Sequence, residues 1–222
     1  MTTQKIFWEN PYLIECKATV TSIKGNKIKL DQTIFFAFSG GQESDQGTIG
    51  GINVISAVKQ RDKESIIDIE YELEYELEHE PHFIVGEQVD VKINKERREK
   101  LRKLHSATHI VYYFVMETLG RLKIIGSNIA EEKARIDFLY GKPLNDVLPD
   151  IQSNVNRFLQ ENHAIITKED EQKPDLRGWT CEEWKMPCGG THPKSTGEIG
   201  NLELQRKNIG SGKERIEIRL MS

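Results

Sequence analysis

Cysteine is scarce in this chain: Cys16, Cys181 and Cys188 are an odd number spread over 222 residues. That argues against a disulfide framework and for a reducing compartment, so a cytoplasmic location is expected. Long apolar runs are missing too. No stretch approaches a membrane span, and residues 1–10 are too short and too often interrupted by polar groups to form a signal peptide. Internal repeats are absent, and one acidic alternation is the sole biased segment. What is present, 37% hydrophobic and 30% charged residues, describes a globular chain able to bury a core in one large domain or two small ones.

A net charge of −4 would discourage a nucleic-acid partner if it were evenly spread. It is not. Between Asp68 and Glu80 every even position is acidic, while Ile69, Tyr71, Leu73, Tyr75 and Leu77 fill odd ones. Period two puts the carboxylates on one face of a strand or hairpin. An evenly spaced stripe lacks the looped oxygen cage of a calcium site, so a solvated face that repels phosphate is the expectation. Opposite charge crowds residues 95–103, where Lys95, Arg97, Arg98, Lys100, Arg102 and Lys103 fall together. These cations are either a solvated helix face or phosphate contacts.

The first part of the chain reads as β structure. Residues 12–30 are rich in Val, Ile and Thr around a break at Lys24, Gly25 and Asn26, which is a hairpin signal. Residues 33–38 form an apolar strand candidate running into Ser39, Gly40, Gly41 and Gln42, a tight loop or a plain hairpin turn. Residues 85–93 close this β region, and a boundary near Asn94 gives an N-terminal β-barrel-like domain over 1–94.

Composition then switches to a second domain over 95–222. Residues 95–121 hold no internal Gly or Pro before Gly120, and Leu101, Leu104, Thr108, Val111, Val115 and Leu119 recur at helical spacing. A strand is expected near 134–138, and a second helix carries Val147, Leu148, Ile151, Val155 and Phe158 on one stripe, with Pro143 near its start. A short strand near 164–167 comes next, residues 179–184 lead into the cysteine run, and a closing hairpin is expected over 199–220. The fold class expected is therefore α+β, the second domain being a two-layer arrangement of helices on an antiparallel sheet.

His105 and His109 lie one turn apart on one face of the first helix, so they can chelate one ion. Cys188 and His192 repeat that spacing, with Gly189 and Gly190 letting the backbone turn. Nitrogen and sulfur donors in this number suit zinc. Cys181 fits no familiar knuckle with Cys188 and is expected to be a buried thiol. The gap between the histidines holds Ser106, Ala107 and Thr108, not the glutamate of a metalloprotease helix. Four protein ligands make a closed structural site, whereas a catalytic zinc keeps a position open. Both roles stay open on these residues alone.

Three segments together, SGGQESDQG at 39–47, VDVKINKERREKLRKLHSATH at 89–109, and CGGTH followed by TGEIG at 188–200, resemble the editing domain of alanyl-tRNA synthetase. They resemble its free-standing AlaX-type relatives more closely, and with the β region at the start of the chain a free-standing enzyme is expected. The resemblance runs in order over about residues 10–220. It implies a β-barrel joined to an α/β domain, and hydrolysis of mischarged tRNA(Ala), chiefly seryl-tRNA(Ala) with glycyl-tRNA(Ala) as a further substrate. It also implies that His105, His109, Cys188 and His192 ligate zinc. Gln42, with backbone donors at Gly40 and Gly41, would hold the scissile ester, and Thr33 and Thr108 would contact a seryl hydroxyl. Lys95, Arg97, Arg98 and Lys103, with Trp179 and Trp184, are the candidates for gripping the tRNA. Phe36 and Asn94 depart from the tyrosine and the acidic residue common in relatives. The rival to an editing enzyme is a non-catalytic RNA-binding module with a structural zinc. A third reading is a metallohydrolase of small esters that needs no tRNA.

Overall fold

The computed structural model describes residues 3–61, 67–73, 83–170 and 173–221. They form two compact units, 1–99 and 100–222. None of the described helices is long and apolar enough to cross a membrane.

Unit one contains β1 (Gln4–Lys5), β2 (Glu15–Lys24), β3 (Lys27–Leu30), β4 (Gln32–Thr33), β5 (Gly47–Ile49), β6 (Ile52–Arg61), β7 (Ile67–Leu73) and β8 (Gln88–Ile93). The strands β2, β3, β7, β6, β5 and β8 hydrogen-bond in that cyclic order and close into a barrel. Closure removes the unpaired edges that would otherwise invite aggregation. Alternation drives it: in β8, Val89, Val91 and Ile93 point inward and Gln88, Asp90 and Lys92 outward. The acidic stripe falls partly on β7, and residues 74–80 of it lie outside the described residues.

The expected strand over 33–38 is corrected. Only Thr33 belongs to a strand, yet Ile34, Phe35, Phe36 and Ala37 are fully buried. Side chains replace the missing ladder. Phe35 N–H donates to Thr33 Oγ1, Phe36 N–H donates to Asp45 Oδ2, and Arg98 donates to the Ile34 carbonyl. An apolar run can be buried off a sheet when its backbone groups find such partners.

The helix α1 (Lys95–Leu119) starts where Asn94 accepts the Arg97 N–H on its side-chain oxygen, an N-cap. Unit two continues with β9 (Lys123–Ile129), β10 (Ala134–Leu139), α2 (Leu148–Gln160), β11 (Ile165–Asp170), β12 (Lys173–Cys181), β13 (Trp184–Pro187), β14 (Leu202–Asn208) and β15 (Lys213–Leu220). One antiparallel sheet has the order β14-β15-β10-β9, and a second has β11-β12-β13. Core side chains from both helices and both sheets form one cluster, including Leu104, Val111, Ile136, Phe138, Val155, Trp179 and Ile216. The α+β class is thus observed.

The proline at the start of α2 is Pro149, at N1 or N2, and Pro143 lies upstream of the helix. Along α2, Gln152 and Asn156 bond the backbone of edge strand β14 at Leu204 and Leu202. The helix thereby covers an edge as well as an apolar face.

Candidate metal centre

Two elements supply the donors. His105 and His109 project one turn apart from α1, while Cys188 follows β13, where its N–H donates to Arg177 O at 2.7 Å and extends the pairing with β12. His192 completes the group four residues later. The ligand atoms of His105, His109, Cys188 and His192 all lie within 4.8 Å of one another. Cys188 Sγ is 3.4 Å from His105 Nε2 and 3.2 Å from His192 Nε2. Bonds of 2.0–2.3 Å in a tetrahedron place donors about 3.3–3.8 Å apart, so the spacing suits one metal ion and is compatible with zinc.

Burial sets the protonation state. The three imidazoles are 4%, 8% and 3% exposed in chain order. Desolvation pushes His105 down to about 3 and holds His109 and His192 well below the usual histidine range, with the neighbouring rings adding to the effect on the last two. Neutral imidazole is the form that binds a metal. His109 Nδ1 is buried without a hydrogen-bond partner, a cost that a ligated cation elsewhere on the ring does not remove but a bond at that atom would.

Two supporting residues escaped sequence reasoning. Ser106 Oγ sits 2.8 Å from His192 Nδ1 and also accepts the Trp179 indole N–H at 3.3 Å. With Nδ1–H donating to Ser106, His192 presents Nε2 towards Cys188. Second-layer contacts of this kind fix the tautomer and ring orientation. Trp179 further packs edge-on against His109, centroids 4.8 Å apart. No spacing pattern marks a serine beside a ligand, and an indole on β12, far along the chain from α1, gives no local signal.

The remaining predicted residues divide by unit. In unit one, Ser39 and Gln42 exchange backbone hydrogen bonds across a two-residue turn, with Gly40 and Gly41 at φ +61° and +85°. Both signs positive is the geometry glycine supplies without strain. The Gln42 side chain is fully buried. Thr33 is also fully enclosed, and its hydroxyl accepts the Phe35 N–H. In unit two, Thr108 is 6% exposed and donates back to Leu104 O at 2.7 Å.

The basic cluster is less available than its composition suggests. Arg98 is 1% exposed and forks onto Asp45, and Arg97 binds Glu43 at 2.8 Å and the Ser44 carbonyl at 3.1 Å. These two guanidiniums are structural, which corrects their expected role on phosphate; Lys95 is exposed and Lys103 half-buried. Trp179 and Trp184 are corrected likewise. They are 0% and 7% exposed, with Trp184 stacked on Tyr113, so neither offers a face to a base.

Over 221 residues the chain is 34% identical to the alanyl-tRNA editing protein AlaX-M of Pyrococcus horikoshii, covering 97% of both chains. The chain belongs to the AlaX alanyl-tRNA editing family. Alanine–tRNA ligases of Methanococcus aeolicus and Neorickettsia sennetsu are 31% and 33% identical to it; this AlaX chain spans about a quarter of their length. The family model of the threonyl and alanyl tRNA synthetase second additional domain matches residues 166–217. That match contains Cys188 and His192, while the histidines of α1 lie before it. In this AlaX family member the donor set therefore joins a shared segment to a helix outside it.

Proposed function

We propose that the chain hydrolyses mischarged tRNA(Ala) in trans, acting chiefly on seryl-tRNA(Ala) and also on glycyl-tRNA(Ala), with zinc held by His105, His109, Cys188 and His192. Membership of the AlaX family across nearly the whole chain carries this reading, and the buried, neutral donor set supports it. Zinc, when bound, supplies a Lewis acid that orients the charged 3′ end. Gln42 and the amides of its turn hold the ester carbonyl as a water oxygen adds to it. The bond to the ribose oxygen then breaks, releasing the free amino acid and the intact tRNA. Thr108 is the first candidate for the seryl contact: its proton is committed to Leu104 O, which leaves its oxygen lone pairs as acceptors. Thr33 is the second. A polar group built to bond a substrate hydroxyl discriminates against alanine, which would leave it unpaired. Lys95 and Lys103 remain assigned to phosphate contact.

One observation favours a rival. Four protein donors would leave a bound zinc no open position, the pattern of structural sites. Serine release from seryl-tRNA(Ala) separates the two readings. The editing enzyme releases serine, spares alanyl-tRNA(Ala), and loses about 10²–10³-fold in rate on Gln42→Ala. A wild type that binds the tRNA yet leaves the ester intact is the binding module instead.

A further inference from the structure

The outward face of the four-stranded sheet in unit two carries more positive charge than its carboxylates neutralise. Cross-strand register sets Asp137 of β10 beside Arg215 of β15, and Arg135 beside Glu217. Asp137 accepts from Arg215 Nε at 2.7 Å and Nη2 at 2.9 Å and also pairs with Arg135. Glu217 accepts from Lys133 at 2.6 Å and from Lys207 of β14 at 3.1 Å, with Arg219 at 3.7 Å. Five cations thus converge on two carboxylates, and the exposed Glu203, opposite Arg219 in the register, is a third carboxylate of this face.

The layering matters as much as the count. Side chains of Asp137 and Glu217 are 8% and 2% exposed, whereas the five cations are between 25% and 52% exposed. These two anions lie beneath, and the five cations face outward. Both carboxylates titrate below their ordinary range: burial pushes each up, but the arginines around Asp137 and the lysines around Glu217 outweigh it. Gly126 makes room for one pair, because a Cβ there would come within 3.1 Å of the Asp137 carboxylate and 3.4 Å of Arg135.

We propose that this sheet face docks the phosphate backbone of tRNA. The proposal rests on the editing reading above and adds the surface by which the polynucleotide is held. The complementary charge is a polyanion, since the five cations outnumber Asp137, Glu217 and Glu203 on this face in a chain whose net charge is −4. Same-face residues on one strand stand about 6.8 Å apart and neighbouring strands about 4.8 Å, so the cations form a lattice and not a point. Anchoring by buried carboxylates orders the guanidiniums before the ligand arrives, which lowers the entropy lost on binding. Contacts of this kind hold the backbone without reading bases.

The test is equilibrium binding of uncharged tRNA(Ala) to the full chain over a salt series. Lys133→Gln/Lys207→Gln should weaken binding about tenfold at low salt and make the logarithmic salt slope shallower by about two. Thermal melting checks that the variant folds. A second measurement uses the wild type alone: tRNA should protect Lys133 and Lys207 from acetylation. A folded variant with unchanged affinity and slope, or equal labelling with and without tRNA, overturns the docking face while leaving the editing reading intact. A wild type that binds no tRNA overturns both. Protection by anionic phospholipid vesicles but not by tRNA would assign the face to a membrane and also overturn the proposal.

Discussion

Arg98 and Asp45 form a buried ion pair in unit one, with side chains 1% and 0% exposed. Asp45 also takes the Phe36 N–H, and Arg98 also donates to the carbonyls of Pro11 and Ile34. The pair therefore ties the start of α1 to the segment that precedes the glycine turn. Removing one partner strands the other charge in the interior. Arg98→Ala and Asp45→Ala should each cost about 3–5 kcal/mol in denaturant unfolding. The double variant should lose less than the sum, because neither charge is left alone. Additive losses would mean that the two side chains are not coupled.

Ser106 bridges the Trp179 indole and His192 Nδ1. If that bridge sets the His192 tautomer, Ser106→Ala should reduce zinc affinity about 10- to 100-fold, read by competition with a chromophoric chelator. Loss of a ligand in Cys188→Ala should be more severe and abolish stoichiometric metal. Equal zinc affinity for wild type and Ser106→Ala would remove the serine from the metal centre.

How far these features could be read from sequence varies with their range. The four donors were legible because ligand pairs keep short spacings, i and i+4 on a helix and again around two glycines. Ser106 was not, since its role depends on two partners brought from other elements. The barrel was legible through alternation in segments such as β8. The buried run Ile34–Ala37 looked like a strand because hydrophobicity records burial, not which groups satisfy the backbone. Strand β9 was missed for the converse reason: only Ile129 of it is buried, so it has little apolar alternation. The residues 95–103 misled in another way. Composition reports charge, whereas the carboxylates of Glu43 and Asp45, some fifty positions earlier, decide how Arg97 and Arg98 are used.

His163 joins the C-terminal end of α2 to the β12–β13 turn. Its Nδ1 lies 2.9 Å from Glu182 and its Nε2 2.9 Å from Glu161, with the ring stacked on Phe158 at 4.1 Å. Both nitrogens can donate only in the imidazolium. Desolvation pulls its pKa down, but the two glutamates outweigh that and raise it above 6.5. A raised folded-state value means that the stabilisation is complete below 6.5 and is lost as pH rises through the folded value. The wild-type Tm should therefore fall across that window relative to His163→Gln, in which the dependence flattens. Parallel Tm–pH curves for the two proteins would show that the clamp carries no net energy.

Gly40 tests the turn that presents Gln42. Its φ is +61°, and a Cβ built there meets nothing within 4 Å. Substitution is thus penalised by backbone conformation alone and not by a clash. Gly40→Ala should destabilise the fold by about 1–2 kcal/mol, the cost of a left-handed conformation for an ordinary side chain. Gly40→Asn should recover much of that loss, because asparagine tolerates the region through local hydrogen bonds. The two variants also separate stability from chemistry. If the turn positions the ester, both should slow serine release with Asn the milder, in the same order as their unfolding energies. A Gly40→Ala protein that is destabilised but deacylates seryl-tRNA(Ala) at the wild-type rate would detach the turn from the reaction.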